Sequence, residues 1–320
     1  MSKVFIAGQI PDAASELLQK AGLEIDTFSV EGLIDQATLK KGVAEADFLI
    51  TPLSTKVDAE IIDAAPKLKL IANFGAGFNN IDVEYAKKKG IPVTNTPFVS
   101  ATSTAEVTTG LIISLSHLIV EGDQLMRGAG FNGWAPLFFL GHELSGKTLG
   151  IIGMGQIGQQ VAKRMHAFDM PILYTQRHQL PKAREVELGA RFVTKDELVK
   201  NSDIITLHIP DTPSTHHYLG AAEFKAMKKS ALLINAARGA VIDELGLLKA
   251  LQDKELAGAA LDVYEKEPKV DDGFKQLKNV ILTPHIGNAT VEARNAMATI
   301  VATNCIAADQ GEEIKYIVNK

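Results

Sequence analysis

Short apolar runs alternate with segments of helical periodicity along the first hundred residues. The apolar runs are too short for helices and are Val4–Ala7, Phe48–Ile50, Leu68–Ala72 and Val93–Asn95. Apolar residues recur with helical spacing in the segments Ala13–Lys20, Thr38–Glu45 and Val83–Lys89. Strands that are apolar on both faces and alternate with helices are typical of a parallel sheet that is covered on both sides.

The same alternation restarts near residue 149 and continues to residue 282. The strands predicted there are Leu149–Gly153, Ile172–Tyr174, Ile204–Ile209, Ala231–Asn235, Ala259–Val263 and Val280–Leu282. These strands predict a second parallel sheet. The predicted fold class is therefore α/β, with two Rossmann-like or flavodoxin-like parallel-sheet domains.

A long helical stretch, Thr102–Arg127, separates the two blocks. Ser103 and Glu106 have the spacing of a capping box near its start. The last helical segment, Val291–Asp309, follows the final strand of the second block, and its return to the first block would make that block discontinuous. The predicted domains are residues 1–99 plus 290–320 for one and 100–289 for the other.

The composition is that of an ordinary globular protein, with 46% apolar and 22% charged residues among 320. The 33 basic and 38 acidic side chains give a net charge of −5, so no basic surplus attracts nucleic acid or an anionic membrane. The single cysteine, Cys305, fits a reducing compartment. No apolar run approaches a signal peptide or the roughly 18 residues of a membrane span, so we expect a cytoplasmic protein.

The run from Gly153 to Gly158 has the G-x-G-x-x-G spacing of a dinucleotide-binding turn. This spacing is weak by itself, but here it follows an apolar strand and precedes the helical run Gln159–Phe168. Gly153 permits the tight turn, Gly155 lets the backbone approach a pyrophosphate, and Gly158 lets the helix pack closely on the strand. The predicted phosphate-binding residues are Gly153, Gly155, Gln156, Ile157 and Gly158.

The end of the next strand departs from the NAD-binding pattern. An acidic residue is expected there to accept a hydrogen bond from the ribose 2′-hydroxyl, but Thr175 is followed by Gln176 and Arg177. A carboxylate would repel a 2′-phosphate, whereas Arg177 would attract one. The sequence therefore predicts NADP(H) as the preferred cofactor. The alternative is that Arg177 is a solvated loop residue and that NAD(H) is also used.

Three polar segments follow strands of the second block. The first contains Arg238, the second runs from Asp262 to Pro268, and the third contains His285 and Gly287. Open α/β sheets bind ligands beyond the carboxyl ends of their strands. Each segment alone has an ordinary structural explanation, but three of them beside a dinucleotide motif favour an active site.

Taken together, these motifs resemble the D-isomer-specific 2-hydroxyacid dehydrogenases over essentially the whole chain. The resemblance includes Gly75–Asp82, the glycine motif and the three polar segments. It implies two domains with the active site in the cleft between them, and a homodimer. It also implies a catalytic set of Arg238, Glu267 and His285. Glu265 is the nearby alternative, but the family's glutamate directly precedes a proline, as Glu267 does.

Further roles come from the same resemblance. The backbone N–H groups of Ala76 and Gly77 would bind the substrate carboxylate together with Arg238. Asp262 would contact the nicotinamide carboxamide, Thr104 would face the cofactor phosphates, and Gly287 would lie at the cofactor.

The implied reaction is the NAD(P)H-dependent reduction of a 2-oxo acid to a D-2-hydroxy acid. Arg238 presents a fork of fixed donors to the carboxylate or the ketone. His285 would protonate the developing alkoxide as general acid, and a carboxylate partner such as Glu267 would favour the charged ring and orient it. No clustered set of metal ligands is evident, and the pair His216 and His217 is expected in a surface loop.

The substrate subclass depends on the segment Arg127–Pro136, which resembles the corresponding part of glyoxylate/hydroxypyruvate reductases. There, a tryptophan can reach the neighbouring subunit's active site, and Trp134 occupies that position here. Trp134, Phe138 and Phe139 are equally consistent with this role at the active site and with an ordinary place in a dimer interface or a core. If they line the pocket, bulkier aryl or branched 2-oxo acids become substrates.

Two other functions remain open from the sequence. A dinucleotide-sensing co-repressor of the same family would keep the catalytic residues, although this chain shows no interaction-motif extension. A formate dehydrogenase would carry glutamine at the position of Glu267.

Overall fold

A computed structural model describes residues 1–30 and 32–320. The chain forms two compact units. The first consists of residues 1–100 and 289–320, and the second of residues 101–288.

The first unit is built on a five-stranded sheet in the order β2-β1-β3-β4-β5. Its strands are β1 (Lys3–Ile6), β2 (Glu24–Thr27), β3 (Phe48–Pro52), β4 (Leu70–Phe74) and β5 (Val93–Thr94). Its helices are α1 (Asp12–Lys20), α2 (Gln36–Val43), α3 (Ala59–Asp63), α4 (Val83–Lys88) and α13 (Val291–Gln310). All pairings between these strands are parallel, and the strand order is that of flavodoxin-like folds.

The sheet of the first unit is apolar on both faces. Along β3, Phe48 and Ile50 pack on the side of α1 and α13, while Leu49 packs in the core on the opposite side. α13 begins at the N-cap Thr290, whose hydroxyl accepts a hydrogen bond from the Ala293 N–H at 3.2 Å. It then packs against α1 and β4, so the far end of the chain completes the core of this unit.

The second unit contains a seven-stranded sheet in the order β12-β11-β10-β9-β6-β7-β8. Its strands are β6 (Leu149–Ile152), β7 (Ile172–Thr175), β8 (Ala190–Phe192), β9 (Ile204–Leu207), β10 (Leu232–Asn235), β11 (Gly258–Leu261) and β12 (Val280–Leu282). Its helices are α5 (Ala101–Ser116), α6 (Ile119–Arg127), α7 (Gln156–His166), α8 (Lys182–Leu188), α9 (Lys195–Asn201), α10 (Ala221–Ala226), α11 (Glu244–Gln252) and α12 (Asp272–Lys275).

All pairings between the strands of this second sheet are also parallel. The order reverses between β6 and β9, as in a Rossmann sheet, where ligands bind beyond the carboxyl ends of the strands at that reversal. The two all-parallel sheets confirm the predicted α/β class.

The predicted continuous helix Thr102–Arg127 is wrong. It breaks between α5 and α6, which are bent by 67°, and Leu118 at the break has φ of 56°. The predicted capping box is also wrong because α5 already begins at Ala101, so Ser103 lies inside the helix. The Glu106 carboxylate instead pairs with Arg164 at 3.0 Å.

In the described part of the chain, no single helix is long and apolar enough to cross a membrane. The bent pair α5 and α6 meets the length and composition criteria only when the two helices are taken together.

Candidate active site

The polar segments after β10, β11 and β12 lie side by side because these three strands are adjacent in the sheet. Arg238 follows β10 by three residues, Asp262 directly follows β11, and His285 follows β12 by three residues. The parallel register brings the ends of these strands to one edge of the sheet. The side chains that the sequence singled out therefore share one neighbourhood.

His285 and Glu267 form a direct pair at this edge. The Nδ1 atom of His285 lies 2.9 Å from Oε2 of Glu267, and about a third of each side chain is exposed (32% and 36%). A carboxylate can only accept, so Nδ1 carries the hydrogen of this bond. The backbone of His285 has φ of 54°, and its N–H donates to Thr283 O at 3.1 Å.

The second oxygen of Glu267 is held by the backbone. The Tyr264 N–H donates to Oε1 at 3.1 Å. Burial by itself would raise the pKa of Glu267, but the hydrogen bonds from His285 and Tyr264 and the charge of Arg238 bring that pKa below its usual value. The carboxylate therefore stays ionised and fixes the orientation of the imidazole ring.

Arg238 is half-buried in the loop after β10. Its Nη1 donates to Ala237 O at 2.6 Å, and the backbone O of Arg238 accepts from Asn235 Nδ2 at 2.9 Å. Burial lowers the pKa of its guanidinium, while Glu267 and Asp211 act in the opposite direction. Most of the fork remains free of protein acceptors in the described residues, so it can bind an anionic or carbonyl oxygen.

Gly239 lets the Arg238 loop lie directly against the loop after β11. A Cβ atom at Gly239 would come within 1.9 Å of the Tyr264 carbonyl carbon. Only glycine permits this approach, which holds Arg238 and Glu267 in neighbouring loops.

Asp262 is buried and binds the loop that carries His285. Its Oδ1 accepts from the Thr283 hydroxyl at 2.6 Å and from the Ile286 N–H at 2.8 Å. Its Oδ2 accepts from the Gly287 N–H at 2.8 Å. Thr104 lies beside this group, since a Cβ atom at Gly287 would come within 3.5 Å of its hydroxyl oxygen. The structure thus brings Thr104, Asp262 and Gly287 together.

The glycine motif connects β6 to α7 as its spacing predicts. Gly153 has φ of 96°, and a Cβ atom there would lie 2.5 Å from His208 O. A Cβ atom at Gly158 would lie 2.2 Å from Gly153 O, whereas one at Gly155 would meet nothing within 4 Å. The first N–H groups of α7 have no acceptor within the helix. An open space before free donors fits a dinucleotide pyrophosphate.

The loop after β7 begins with Gln176, which is bound to the glycine motif. Its Oε1 accepts from the Met154 N–H at 3.0 Å, and its Nε2 donates to His178 O at 2.6 Å. Arg177 is exposed, and across residues 1–30 and 32–320 no acidic group or hydrogen-bond acceptor pairs with its guanidinium. The neighbouring cations Lys182 and Arg184 do have partners.

In the first unit, Ala76 and Gly77 belong to the turn that follows β4. Asn73 Nδ2 donates to Gly77 O at 2.6 Å, and Asn95 Nδ2 donates to Ala76 O at 2.7 Å. With the carbonyl groups bound in this way, the N–H groups of Ala76 and Gly77 find no acceptor among the residues that the structure describes.

Comparison with known proteins identifies the family. A family model described as the NAD binding domain of D-isomer specific 2-hydroxyacid dehydrogenases matches residues 109–287. A protein from Staphylococcus epidermidis, provisionally named a 2-hydroxyacid dehydrogenase, is 56% identical over 319 residues and covers 100% of both chains. The chain belongs to the D-isomer specific 2-hydroxyacid dehydrogenase family.

Two solved structures of similar proteins cover nearly the whole chain. A glyoxylate reductase from Paecilomyes thermophila is 34% identical, with a TM-score of 0.86, over 99% of this chain and 98% of that chain. An NADPH-dependent glyoxylate/hydroxypyruvate reductase from Sinorhizobium meliloti is 31% identical, with a TM-score of 0.86, over 99% of this chain and 98% of that chain. The present 2-hydroxyacid dehydrogenase is an NAD(P)-dependent oxidoreductase of small molecules, and its cofactor is a nicotinamide dinucleotide.

Sequence reasoning about this dehydrogenase missed the partners of two histidines. His217 pairs with Glu265 at 2.6 Å, and His216 lies 3.5 Å from Asp211, although the sequence suggested no acidic group near them. Glu265 is 48 residues from His217, so no local pattern could reveal the pair. In the described residues, no group of three metal-ligating side chains could hold a metal ion.

The aromatic segment after α6 is exposed in this dehydrogenase. Trp134 is 83% exposed, and Phe138 stacks against Phe131 with ring centroids 6.0 Å apart. Within the chain these side chains are therefore not core residues.

Proposed function

We propose that the protein reduces a 2-oxo acid, either glyoxylate or hydroxypyruvate or a bulkier aryl or branched homologue, to the D-2-hydroxy acid. The observation that carries this proposal is the 2.9 Å pair of His285 and Glu267 at the sheet edge that also carries Arg238. A proton donor oriented by a carboxylate, beside a cation with unused donors, matches the needs of a ketone that becomes an alkoxide. The similarity to the glyoxylate reductase and to the glyoxylate/hydroxypyruvate reductase described above supports the substrate class.

In this mechanism, Arg238 binds the substrate through its fork of N–H donors and polarises its ketone. The N–H groups of Ala76 and Gly77 bind the substrate carboxylate. His285 holds the reacting proton on Nε2 and transfers it to the developing alkoxide oxygen, while Glu267 orients the ring through Nδ1. A bound nicotinamide would supply the hydride. In oxidation, the same imidazole takes the proton back.

The cofactor is held by the second unit in this proposal. The glycine motif and the first turn of α7 bind the pyrophosphate, through Gly153, Gly155, Gln156, Ile157 and Gly158. Thr104, Asp262 and Gly287 lie at the remaining part of the cofactor. NADP(H) is preferred because Gln176 and Arg177 follow β7 where a carboxylate would reject a 2′-phosphate. The NADPH-dependent relative from Sinorhizobium meliloti supports this preference.

A homodimer in the cytoplasm is the proposed state of the enzyme. Its support is an apolar surface formed by α6 and the segment after it. The large exposed side chains of that surface are Ile119, Met126, Phe131, Trp134, Leu137, Phe138, Phe139 and Leu140. The rings of Phe131, Phe138 and Phe139 contact one another, and exposed apolar clusters are typical of association surfaces. The resemblance of residues 127–136 to a segment that reaches the neighbouring subunit supports a second copy of this chain as the partner.

The deciding experiment is turnover of NADPH and NADH with a panel of glyoxylate, hydroxypyruvate, phenylpyruvate and branched 2-oxo acids, with chiral analysis of the product. We expect a D-2-hydroxy acid and a clear ranking within the panel. An L-product, or no turnover with either dinucleotide, would overturn the proposal.

A further inference from the structure

Behind the loop that follows β7 lies a buried pair, Tyr174 and Glu185, which the catalytic mechanism does not use. Tyr174 is fully buried and Glu185 is 1% exposed. The Tyr174 hydroxyl donates to Glu185 Oε1 at 2.9 Å. Glu185 lies on α8, so the pair connects the end of β7 to the helix that begins after the loop. A buried carboxylate is costly unless all its hydrogen bonds are made.

The remaining bonds of this pair go to the loop between β7 and α8. Gln179 Nε2 donates to Glu185 Oε1 at 2.9 Å, and the Leu180 N–H donates to the Tyr174 hydroxyl oxygen at 2.8 Å. Lys182 Nζ donates to Glu185 Oε2 at 3.2 Å. Hydrogen bonds from Gln179 and Tyr174 lower the pKa of Glu185, so these donors face an ionised group.

The opposite end of the loop is held by Gln176, which accepts from the Met154 N–H of the glycine motif. Arg177 and His178 therefore lie in a loop that is held by hydrogen bonds at both ends, at Gln176 before them and at Gln179 and Leu180 after them. The Arg177 guanidinium has no ion pair in the described residues, although its backbone is bound before and after it. A fixed backbone removes the main-chain part of the entropy cost when Arg177 binds an anion, so that only the side chain has to be ordered.

We propose that Tyr174 and Glu185 are specificity-determining positioning residues, which hold Arg177 where it meets the 2′-phosphate of NADP(H). This inference rests on the proposed preference for NADP(H). NAD(H) has only a hydroxyl at that position and gains nothing from Arg177. Loosening the loop therefore weakens the phosphorylated cofactor selectively.

The experiment measures Kd by calorimetry for adenosine 2′,5′-bisphosphate and for 5′-AMP, which represent the adenosine end with and without the 2′-phosphate. Tyr174→Phe removes the hydroxyl and keeps the ring contact with Phe192. We expect its Kd for the bisphosphate to rise about fivefold, because the loop that carries Arg177 loses both hydrogen bonds of the Tyr174 hydroxyl, while its Kd for 5′-AMP stays unchanged. Gln179→Ala keeps the bond between Tyr174 and Glu185 but removes the hydrogen bond by which the loop itself binds Glu185, so it should act in the same direction.

Tyr85→Phe is the matched control, because that hydroxyl also binds a carboxylate, Asp63, at 2.9 Å but lies in the first unit. It should leave both Kd values unchanged. A native preference for the bisphosphate that both Tyr174→Phe and Gln179→Ala leave unchanged would overturn the inference alone. Equal weakening of both ligands would show a merely structural role. A native protein without preference for the bisphosphate would overturn the proposed cofactor preference and, with it, this inference.

Discussion

The imidazole Nδ1 of His285 lies 2.9 Å from Glu267 Oε2, which leaves Nε2 without a partner in the described residues. One ring nitrogen is thus committed to orientation and the other is available for proton transfer. Because the Tyr264 N–H also binds Oε1 of Glu267 at 3.1 Å, the carboxylate cannot rotate away without losing two hydrogen bonds.

The first prediction concerns the pair of His285 and Glu267. Glu267→Gln keeps the shape of the side chain but replaces the carboxylate that accepts from Nδ1 by a neutral amide, so kcat/KM for reduction should fall about 10-fold. His285→Ala should lose about 10²–10⁴-fold in kcat, while cofactor affinity survives both changes. The measurement is steady-state reduction and dinucleotide binding by all three proteins. An unchanged kcat/KM in Glu267→Gln would mean that Glu267 is not the partner of His285 in catalysis.

The lowered pKa of Glu267 also predicts how the stability of the fold depends on pH. A carboxyl whose folded pKa lies below its usual 4.5 stabilises the fold above pH 4.5 and loses that contribution as the pH falls through the folded pKa. The difference in Tm between wild type and Glu267→Gln should therefore shrink on acidification below pH 4.5.

The second prediction concerns the fork of Arg238. Arg238→Lys keeps the charge but loses the paired donors, so kcat/KM for the 2-oxo acid should fall about 10- to 100-fold. The Kd of the dinucleotide should stay unchanged. Arg191→Lys, at an exposed arginine paired with Glu197, is the control and should leave both values alone. Equal activity of Arg238→Lys and wild type would remove Arg238 from substrate binding.

The third prediction separates the two dinucleotides. The native enzyme should prefer NADPH over NADH, and Gln176→Asp should weaken NADPH and favour NADH in relative terms, because a negative charge would face the 2′-phosphate. Gln176→Asn places a side chain of the same length as Gln176→Asp but without the charge. It is the matched control and should keep more of the preference for NADPH. Steady-state kinetics with both cofactors is the measurement, and a native preference for NADH would contradict the prediction.

The fourth prediction distinguishes two glycines of one motif. A Cβ atom at Gly155 meets no protein atom within 4 Å, so Gly155→Ala should leave Tm unchanged but raise the Kd of the dinucleotide. A Cβ atom at Gly158 would meet Gly153 O at 2.2 Å, so Gly158→Ala should cost about 1–3 kcal/mol of folding free energy. Calorimetry and thermal unfolding of both variants test this. Loss of stability in Gly155→Ala would show that its role is structural.

The fifth prediction concerns the surface around Trp134. Light scattering of the pure protein should show a dimer, and Trp134→Ala should weaken dimerisation or change the ranking of 2-oxo acids. Leu245→Ala, at a similarly exposed apolar residue (69%) outside this surface, should have neither effect. A fully active monomer would reject both the dimer and the role of Trp134 across its interface.

The strands at the centre of both sheets could be predicted because they are apolar on each face. Ile204, Ile205 and Leu207, for example, are buried on both sides of the second sheet. β2 was missed because only Ile25 of its four residues is apolar, while Glu24, Asp26 and Thr27 are polar and exposed at the sheet edge. The break at Leu118 was missed because the apolar spacing continues across it, and only the left-handed backbone ends α5.

In the candidate site, too, some features could be predicted from the sequence and others could not. The residue types and their order after each strand indicated Arg238, Glu267 and His285, and adjacent parallel strands bring them together. The partner of His217 and the bond between Gln176 and Met154 could not be predicted, since each joins segments that are distant along the chain. Such contacts depend on how the loops lie, which local periodicity does not encode.

The division of the first unit into two stretches sets an order for folding during synthesis. Residues 101–288 leave the ribosome as one continuous stretch, so the second unit can complete its core before α13 exists. Until then Val4, Ile50 and Leu70, which pack with Met297 and Val301 of α13, lack that cover. β5 also lacks one hydrogen bond until Asn319 is synthesised, because the Val93 N–H donates to Asn319 Oδ1 at 2.8 Å. The nascent chain therefore carries a half-covered sheet throughout the synthesis of the second unit, and this is the stage at which it most needs protection from aggregation.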